Sequence, residues 1–347
     1  MPDPIRVGLV GYGYATQTFH QPLLAASPDY RITAVASSSP DRVADGLPDV
    51  PVVSDVDALA AREDVDLVVL ATPPAGHAAQ AEAALRAGKH VVAEKPFTPT
   101  VAEADRLIGL ADDAGRVLSV FQNRRWDGDF LTAKRLIESG ELGEVLTFRS
   151  HFDRFRPAVR DRWRERPGAG AGMLYDLGAH LIDQALVLFG PPESVWADVG
   201  AQRAGGEAVD YAHVVLRWGR RRALLHTGMV VAEPGPRFAV HGTGGSYLKY
   251  GLDPQEDALK AGRRPEGERW GTDVPEAFGT LTQPDGDDFK SQTVETDAGD
   301  YPAYYAALAQ ALRGDGANPV PAEEARDVIR VIELAQQSAE SGCSVAW

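Results

Sequence analysis

Three side chains in the 347-residue sequence combine reactive chemistry with informative placement: Lys95, Asp176 and His180. Lys95 lies in Glu94-Lys95-Pro96, directly after the strand-like run His90 to Ala93. A lysine at the carboxyl edge of an open α/β sheet can hydrogen-bond a substrate oxygen, stabilise a developing alkoxide and bias a neighbouring acid or base. In the largely apolar run from Gly172 to Asp183, helical spacing puts Asp176, His180 and Asp183 on one face. Histidine titrates near neutrality and suits acceptance of a hydroxyl proton, and an aspartate one turn earlier can orient its ring or bind the same substrate. Taken singly, each also has an ordinary structural reading: a surface lysine before a turn proline, and an Asp/His pair at a domain interface.

A second pattern suits phosphate. Gly11-Tyr12-Gly13-Tyr14-Ala15-Thr16 follows a strand and leads into a helix, so backbone amides at the helix start can receive a pyrophosphate, although Thr16 replaces the third glycine of G-x-G-x-x-G. About 20 residues further on, where an Asp or Glu would hold the ribose of NAD, the strand ends in Ser37-Ser38-Ser39. Hydroxyls there accept a 2'-phosphate without the repulsion of a carboxylate, and Arg42 offers a positive partner, with Asp41 also near. NADP is therefore expected over NAD; the serines also suit capping of a helix from Pro40. A third pattern is the arginine-dense run from Asp153 to Arg164. Arg154 and Trp163 in it suit a sugar face or a polar rim, whereas most of its other arginines read equally as solvated charge.

The elements that must carry these groups divide the chain in two. Up to residue 123, strand-like runs near Arg6 to Val10, Ile32 to Ser37, Leu67 to Ala71, His90 to Ala93 and Val117 to Phe121 alternate with helical stretches such as Ala78 to Ala87. This is the rhythm of βαβ units in a doubly wound parallel sheet, and Gly88 and Gly115 punctuate helix ends. Residues 124–347 form the second expected domain. Longer alternating strands such as Tyr211 to Trp218 and Arg222 to Val230 suggest an antiparallel or mixed sheet, interrupted by a helix from Gly172 to Phe189. Residues 250–300 carry no convincing period and read as a loop or surface excursion. Helical patterns return at Ala303 to Arg313 and Ala322 to Ala339.

Composition narrows the function classes. With 50 acidic against 35 basic residues, the formal charge of -15 repels nucleic acid and anionic membranes. The single cysteine, Cys343, excludes disulfide frameworks within one chain, and the eight histidines show no zinc-binding spacing, so no metal is expected. The first strand begins almost at the first residue, leaving no room for a secretion signal, and no apolar run approaches the roughly 20 residues of a membrane span. The expected location is cytoplasmic.

The segments GLVGYGYATQTFHQP, VVLATPPAGH, AGKHVVAEKPFTPT, QNRRWDGDFLT and GMLYDLGAHLIDQAL together resemble the glucose-fructose oxidoreductase / inositol dehydrogenase / rhizopine-catabolism (Gfo/Idh/MocA) family over the full length. The stretches SHFDRFRPAVRDRW, YGLDPQEDALKAGRRP and WGTDVPEAFGTL look most like its branch of NADP-dependent scyllo-inositol dehydrogenases. The resemblance implies an N-terminal Rossmann domain and a C-terminal α/β domain with an open, mostly antiparallel sheet. It implies Lys95 as the active-site lysine, Asp176 as the partner aspartate and His180 as the acid/base, with cofactor contacts from Thr72, Pro73, His77 and Glu94. It further implies dimers or tetramers of the chain. The expected reaction is hydride transfer between the nicotinamide and a sugar or cyclic polyol in sugar metabolism, His180 taking the hydroxyl proton while Lys95 holds the oxygen. Two other readings are an aldose or keto-sugar reductase running the same triad in reverse, and a non-catalytic NADP-binding regulator.

Overall fold

The computed structural model describes residues 3–347. The chain forms two compact units. Unit 1 comprises the residues up to Asn123 with the later segments Gln255–Trp270 and Asp300–Arg326; unit 2 comprises Arg124–Pro254, Gly271–Gly299 and Asp327–Trp347.

In unit 1 the short apolar runs become six parallel strands: β1 (Ile5–Val10), β2 (Tyr30–Ala36), β3 (Val52–Val53), β4 (Leu67–Leu70), β5 (His90–Glu94) and β6 (Leu118–Phe121). Their order is β3-β2-β1-β4-β5-β6. Every residue of β4 and β6 is buried, as expected where helices cover both faces of a parallel sheet. The crossover helices are α1 (Gln21–Ala26), α2 (Pro40–Gly46), α3 (Val56–Ala60), α4 (His77–Arg86) and α5 (Val101–Ala114). Thr100 caps α5 by accepting from the Glu103 amide, and Gly115 ends it at φ 59°, a conformation open to glycine without strain. The chain leaves β1 toward β2 on one side and resumes at β4 on the other, so the carboxyl ends of β1 and β4 flank a topological switch point, where doubly wound sheets bind ligands.

The entry into α1 departs from simple α-helix: Thr16–His20 is a π-helical turn running directly into it. The helix Tyr301–Arg313, capped by the Asp300 carboxylate, buries Tyr301, Tyr304, Tyr305 and Leu308 within unit 1.

Unit 2 is built on a nine-stranded sheet of β7 (Val145–His151), β8 (Ser194–Gly200), β9 (Tyr211–Trp218), β10 (Arg221–Gly228), β11 (Phe238–Gly242), β12 (Gly245–Lys249), β13 (Gly279–Asp285), β14 (Asp288–Val294) and β15 (Val345–Ala346). Its order is β14-β13-β12-β11-β7-β10-β9-β8-β15, and only the β7–β10 pairing is parallel. Unit 2 also carries the helices α6 (Gly128–Glu138) and α7 (Ala179–Phe189).

Two sequence expectations need correction. Residues 250–300 are not a structureless excursion: they contain a short helix, Gln255–Lys260, and the β13–β14 hairpin turning at Gly286 with φ 66°. The hairpin escapes the period because all but the last residue of β14 are exposed, so no buried face writes an alternation into the sequence. The helix expected as one element from Gly172 to Phe189 is a π turn, Leu174–Gly178, followed by α7. Among the described residues, no helix is long and apolar enough to cross a membrane.

Candidate functional site

At the switch point of unit 1 lies a cavity of about 410 Å³. Gly11, Gly13, Ser37, Ser38, Arg42 and Thr72 all line it, so six of the expected cofactor residues come together. Gly11 has φ 88°, and a Cβ there would sit 3.1 Å from the Ala71 carbonyl oxygen, whereas a Cβ on Gly13 would meet nothing within 4 Å. The first glycine thus makes the turn and the second leaves room for a group approaching the backbone. Thr16, standing where a third glycine is usual, is fully buried and its hydroxyl donates to the Gly11 carbonyl at 2.7 Å, closing the loop on itself. Ser37 Oγ accepts from the Ser39 amide at 3.1 Å, shaping the turn into α2. The rim acid Asp55 is engaged: its carboxylate accepts from the Ala58 amide and from Ser54, and both bonds hold it below the usual carboxylate range. The cradle fits a dinucleotide, and the serines with Arg42 fit a phosphorylated ribose.

The remaining unit 1 candidates stand elsewhere. Tyr14 is 52% exposed and donates to Glu256 Oε1 at 3.0 Å, Ala15 precedes the π turn, and Pro73 is exposed. His77 is fully buried, its Nε2 2.8 Å from the Thr72 carbonyl oxygen and its Nδ1 3.0 Å from that of Phe97, so the ring ties the loop after β4 to the loop after β5. Glu94 ends β5 with its carboxyl buried, and Lys95, half-buried, is joined to Pro96 by a cis peptide bond.

In unit 2, Gly172 turns the chain at φ 86°, and the π turn that follows carries Asp176. The wider turn alters the spacing assumed for a uniform α-helix and re-aims Asp176 relative to His180, the second residue of α7, which is 4% exposed. Asp183, expected on the same face, is committed to Arg125, whose Nε and Nη2 donate to its two oxygens at 2.9 and 2.6 Å. Asp176 faces Arg164, whose Nε is 3.5 Å from Oδ1, and the Arg164 guanidinium lies 4.6 Å over the Trp163 ring. Trp163, Arg164 and Asp176 thus form one cluster. Arg154 belongs to another: its guanidinium stacks 4.5 Å from the buried Phe152 ring, which also carries Arg124 at 4.7 Å.

Sequence reasoning weighed Arg164 only as part of the arginine-dense run and passed over Arg203. Arg203 is 6% exposed and binds Glu165 at 2.9 Å, Asp210 at 2.8 Å and the carbonyls of Arg156 and Ala158 at 3.2 Å, stapling the arginine-dense loop in place. Burial pushes Glu165 up, but the Arg160 amide and the Arg203 guanidinium outweigh it and hold the carboxyl below its usual range. Nothing in the spacing of Glu165, Arg203 and Asp210 signals that they meet.

Comparison with known proteins agrees with this architecture. Residues 5–122 match the NAD-binding Rossmann fold of the Gfo/Idh/MocA oxidoreductase family, and residues 134–346 match its C-terminal alpha/beta domain. The chain belongs to this family of oxidoreductases. It is 52% identical over 340 residues to the uncharacterized oxidoreductase YdgJ of Escherichia coli, covering 98% of each chain. It is 45% identical over 338 residues to the scyllo-inositol 2-dehydrogenase (NADP(+)) IolW of Bacillus subtilis, covering 97% of this chain and 94% of that one. Among solved structures, the putative oxidoreductase yvaA from Bacillus subtilis superposes with a TM-score of 0.97 at 44% identity, with 99% of both chains covered.

Proposed function

We propose that the protein is a cytoplasmic NADP-dependent dehydrogenase that oxidises a ring hydroxyl of a neutral cyclic polyol, scyllo-inositol or a close stereoisomer, with Lys95, Asp176 and His180 as the acting groups. The observation that carries the reading is the switch-point cavity lined by Ser37, Ser38 and Arg42, with no carboxylate at the end of β2 to exclude a 2'-phosphate. The Arg164–Asp176 pair supports a neutral substrate, since the two charges offset one another. The named activity of the 45% identical relative is of the same kind.

Bound NADP+ supplies the hydride acceptor. The chain's own residues supply the rest: His180 takes the hydroxyl proton, the Lys95 ammonium stabilises charge developing on the oxygen, and Asp176 orients the histidine and the hydroxyl. Arg154 and Trp163 form the substrate's rim, and the active species is a homodimer or homotetramer, measurable by sedimentation.

The test is a panel of inositols and aldoses with NADP+ and NAD+, following absorbance of the reduced cofactor. Turnover of scyllo-inositol with NADP+ preferred is expected; silence across the panel or a clear NAD+ preference overturns the reading. His180→Ala is expected to lower kcat by about 10²- to 10⁴-fold, as for loss of a general base, with the Kd for NADP+ unchanged.

A further inference from the structure

His20 closes the π turn Thr16–His20 at the centre of a buried hydrogen-bond chain in unit 1. The residue is 0% exposed; its Nδ1 lies 2.7 Å from the Tyr305 hydroxyl and its Nε2 3.1 Å from Glu94 Oε1. Glu94 Oε2 accepts the Lys95 amide proton at 2.9 Å. Burial alone pushes Glu94 up, but the His20 hydrogen bond, the attraction of His20 and Lys95, and the Lys95 amide together hold it below the usual carboxylate range. An ionised carboxylate only accepts, so Nε2 carries a proton toward Glu94 whatever the charge of the ring.

The groups packed around the pair keep that arrangement. Tyr305 is driven well above its ordinary range by burial and by Tyr304, Tyr30 and Glu94, so it stays a protonated hydroxyl, able to accept from or donate to Nδ1 as the ring requires. Tyr30, on β2, donates to the Tyr305 carbonyl at 2.7 Å. From β6, Phe121 packs 4.6 Å from the His20 ring and Ser119 pairs with the Tyr304 hydroxyl at 2.9 Å. A buried His–Glu pair is a poor stabiliser, because desolvation offsets its attraction and an apolar pair of similar volume holds a core at least as well. Its position one residue before Lys95 gives it a purpose that stability does not.

We propose that His20 is a positioning residue of the reaction: by donating to Glu94 it fixes the carboxylate that holds Lys95. This rests on the reading of Lys95 as an acting group, and the experiment separates the two. Lys95 is labelled competitively with acetic anhydride in the folded protein and read by mass spectrometry across the alkaline range, which needs no substrate. In His20→Leu, the labelling rate of Lys95 is expected to rise about threefold as the Glu94 carboxylate, no longer fixed by its donor, moves off Lys95, while His20→Gln, which keeps a donor toward Glu94, stays near wild type. With scyllo-inositol and NADP+, His20→Leu lowers kcat about tenfold at unchanged KM for NADP+, and adds nothing further in a Lys95→Ala background. Unchanged Lys95 labelling in folded His20→Leu, or effects of His20→Leu and Lys95→Ala that multiply, overturns the positioning role. If His20→Leu does not fold, Tyr305→Phe carries the same test, since it removes only the hydroxyl that orients the ring; unchanged labelling there is equally fatal. Wild-type turnover in Lys95→Ala instead sinks the reading of Lys95 itself.

Discussion

The two π turns, Thr16–His20 in unit 1 and Leu174–Gly178 in unit 2, do the same geometric work with different chemistry. Each opens a helix, and the extra residue in its turn re-aims a polar side chain. His20 is held among tyrosines, with one carboxylate in the chain. Asp176 is held by a guanidinium, on a framework of ion pairs: Arg164–Asp176, Arg125–Asp183, and Arg203 between Glu165 and Asp210. A residue fixed by aromatic packing and buried hydrogen bonds is little affected by salt screening. A residue fixed through paired charges depends on every member of the network being ionised.

The largest effect expected from that difference is at Arg203. Arg203→Leu leaves Glu165 and Asp210 buried without their partner, and loss of one member of such a set costs about 3–5 kcal/mol. Urea denaturation measures it; a loss below about 1 kcal/mol breaks the contrast. The pH dependence has a definite sign. Glu165 has a folded pKa below its unfolded value, so its contribution is complete above the unfolded value near ~4.3 and is lost as pH falls through the folded one. Wild type should therefore lose stability on acidification through that window, and Arg203→Leu should lose less.

A smaller effect is expected at the cofactor cradle. Arg42→Ala removes a charge-assisted contact to a phosphorylated ribose and should raise the KM for NADP+ about tenfold while leaving that for NAD+ unchanged. Equal effects on both cofactors would detach Arg42 from the 2'-phosphate and weaken the case for NADP.

The parallel sheet was legible because its central strands β1, β4 and β5 are mostly buried and write apolar, β-branched runs, and because glycines mark the turns at residues 11, 88 and 115; the two-residue, half-buried β3 left no such run. The helix bearing His180 was legible from its apolar composition, but its π turn was not, since π and α turns share the same residue preferences. The β13–β14 hairpin left no period because its outer strand is exposed along all but its last residue. The roles of single polar residues were the least visible. His77, a cofactor contact by the resemblance, clamps two carbonyls in a way no motif shows, while Arg164, His20 and Arg203 gain their partners only when separate segments meet.

The finest separation of the two turns comes from Arg164. Its Nε faces Asp176 at 3.5 Å, and both side chains are partly exposed, at 36% and 21%, so the pair is worth no more than about 1 kcal/mol. Arg164→Gln keeps a planar amide beside Trp163 but removes the charge, and should lower kcat/KM for scyllo-inositol about fivefold without changing the Kd for NADP+ or the thermal midpoint. Because exposed charges are screened within about 10 Å at 0.1 M salt, raising ionic strength in wild type should reproduce part of that loss, and in Arg164→Gln it should do nothing further. The His20 chain, lying in fully buried surroundings, should give no comparable salt response. If wild type and Arg164→Gln respond to salt alike, Asp176 is held by the turn itself, and the contrast between the two π turns is one of composition without consequence.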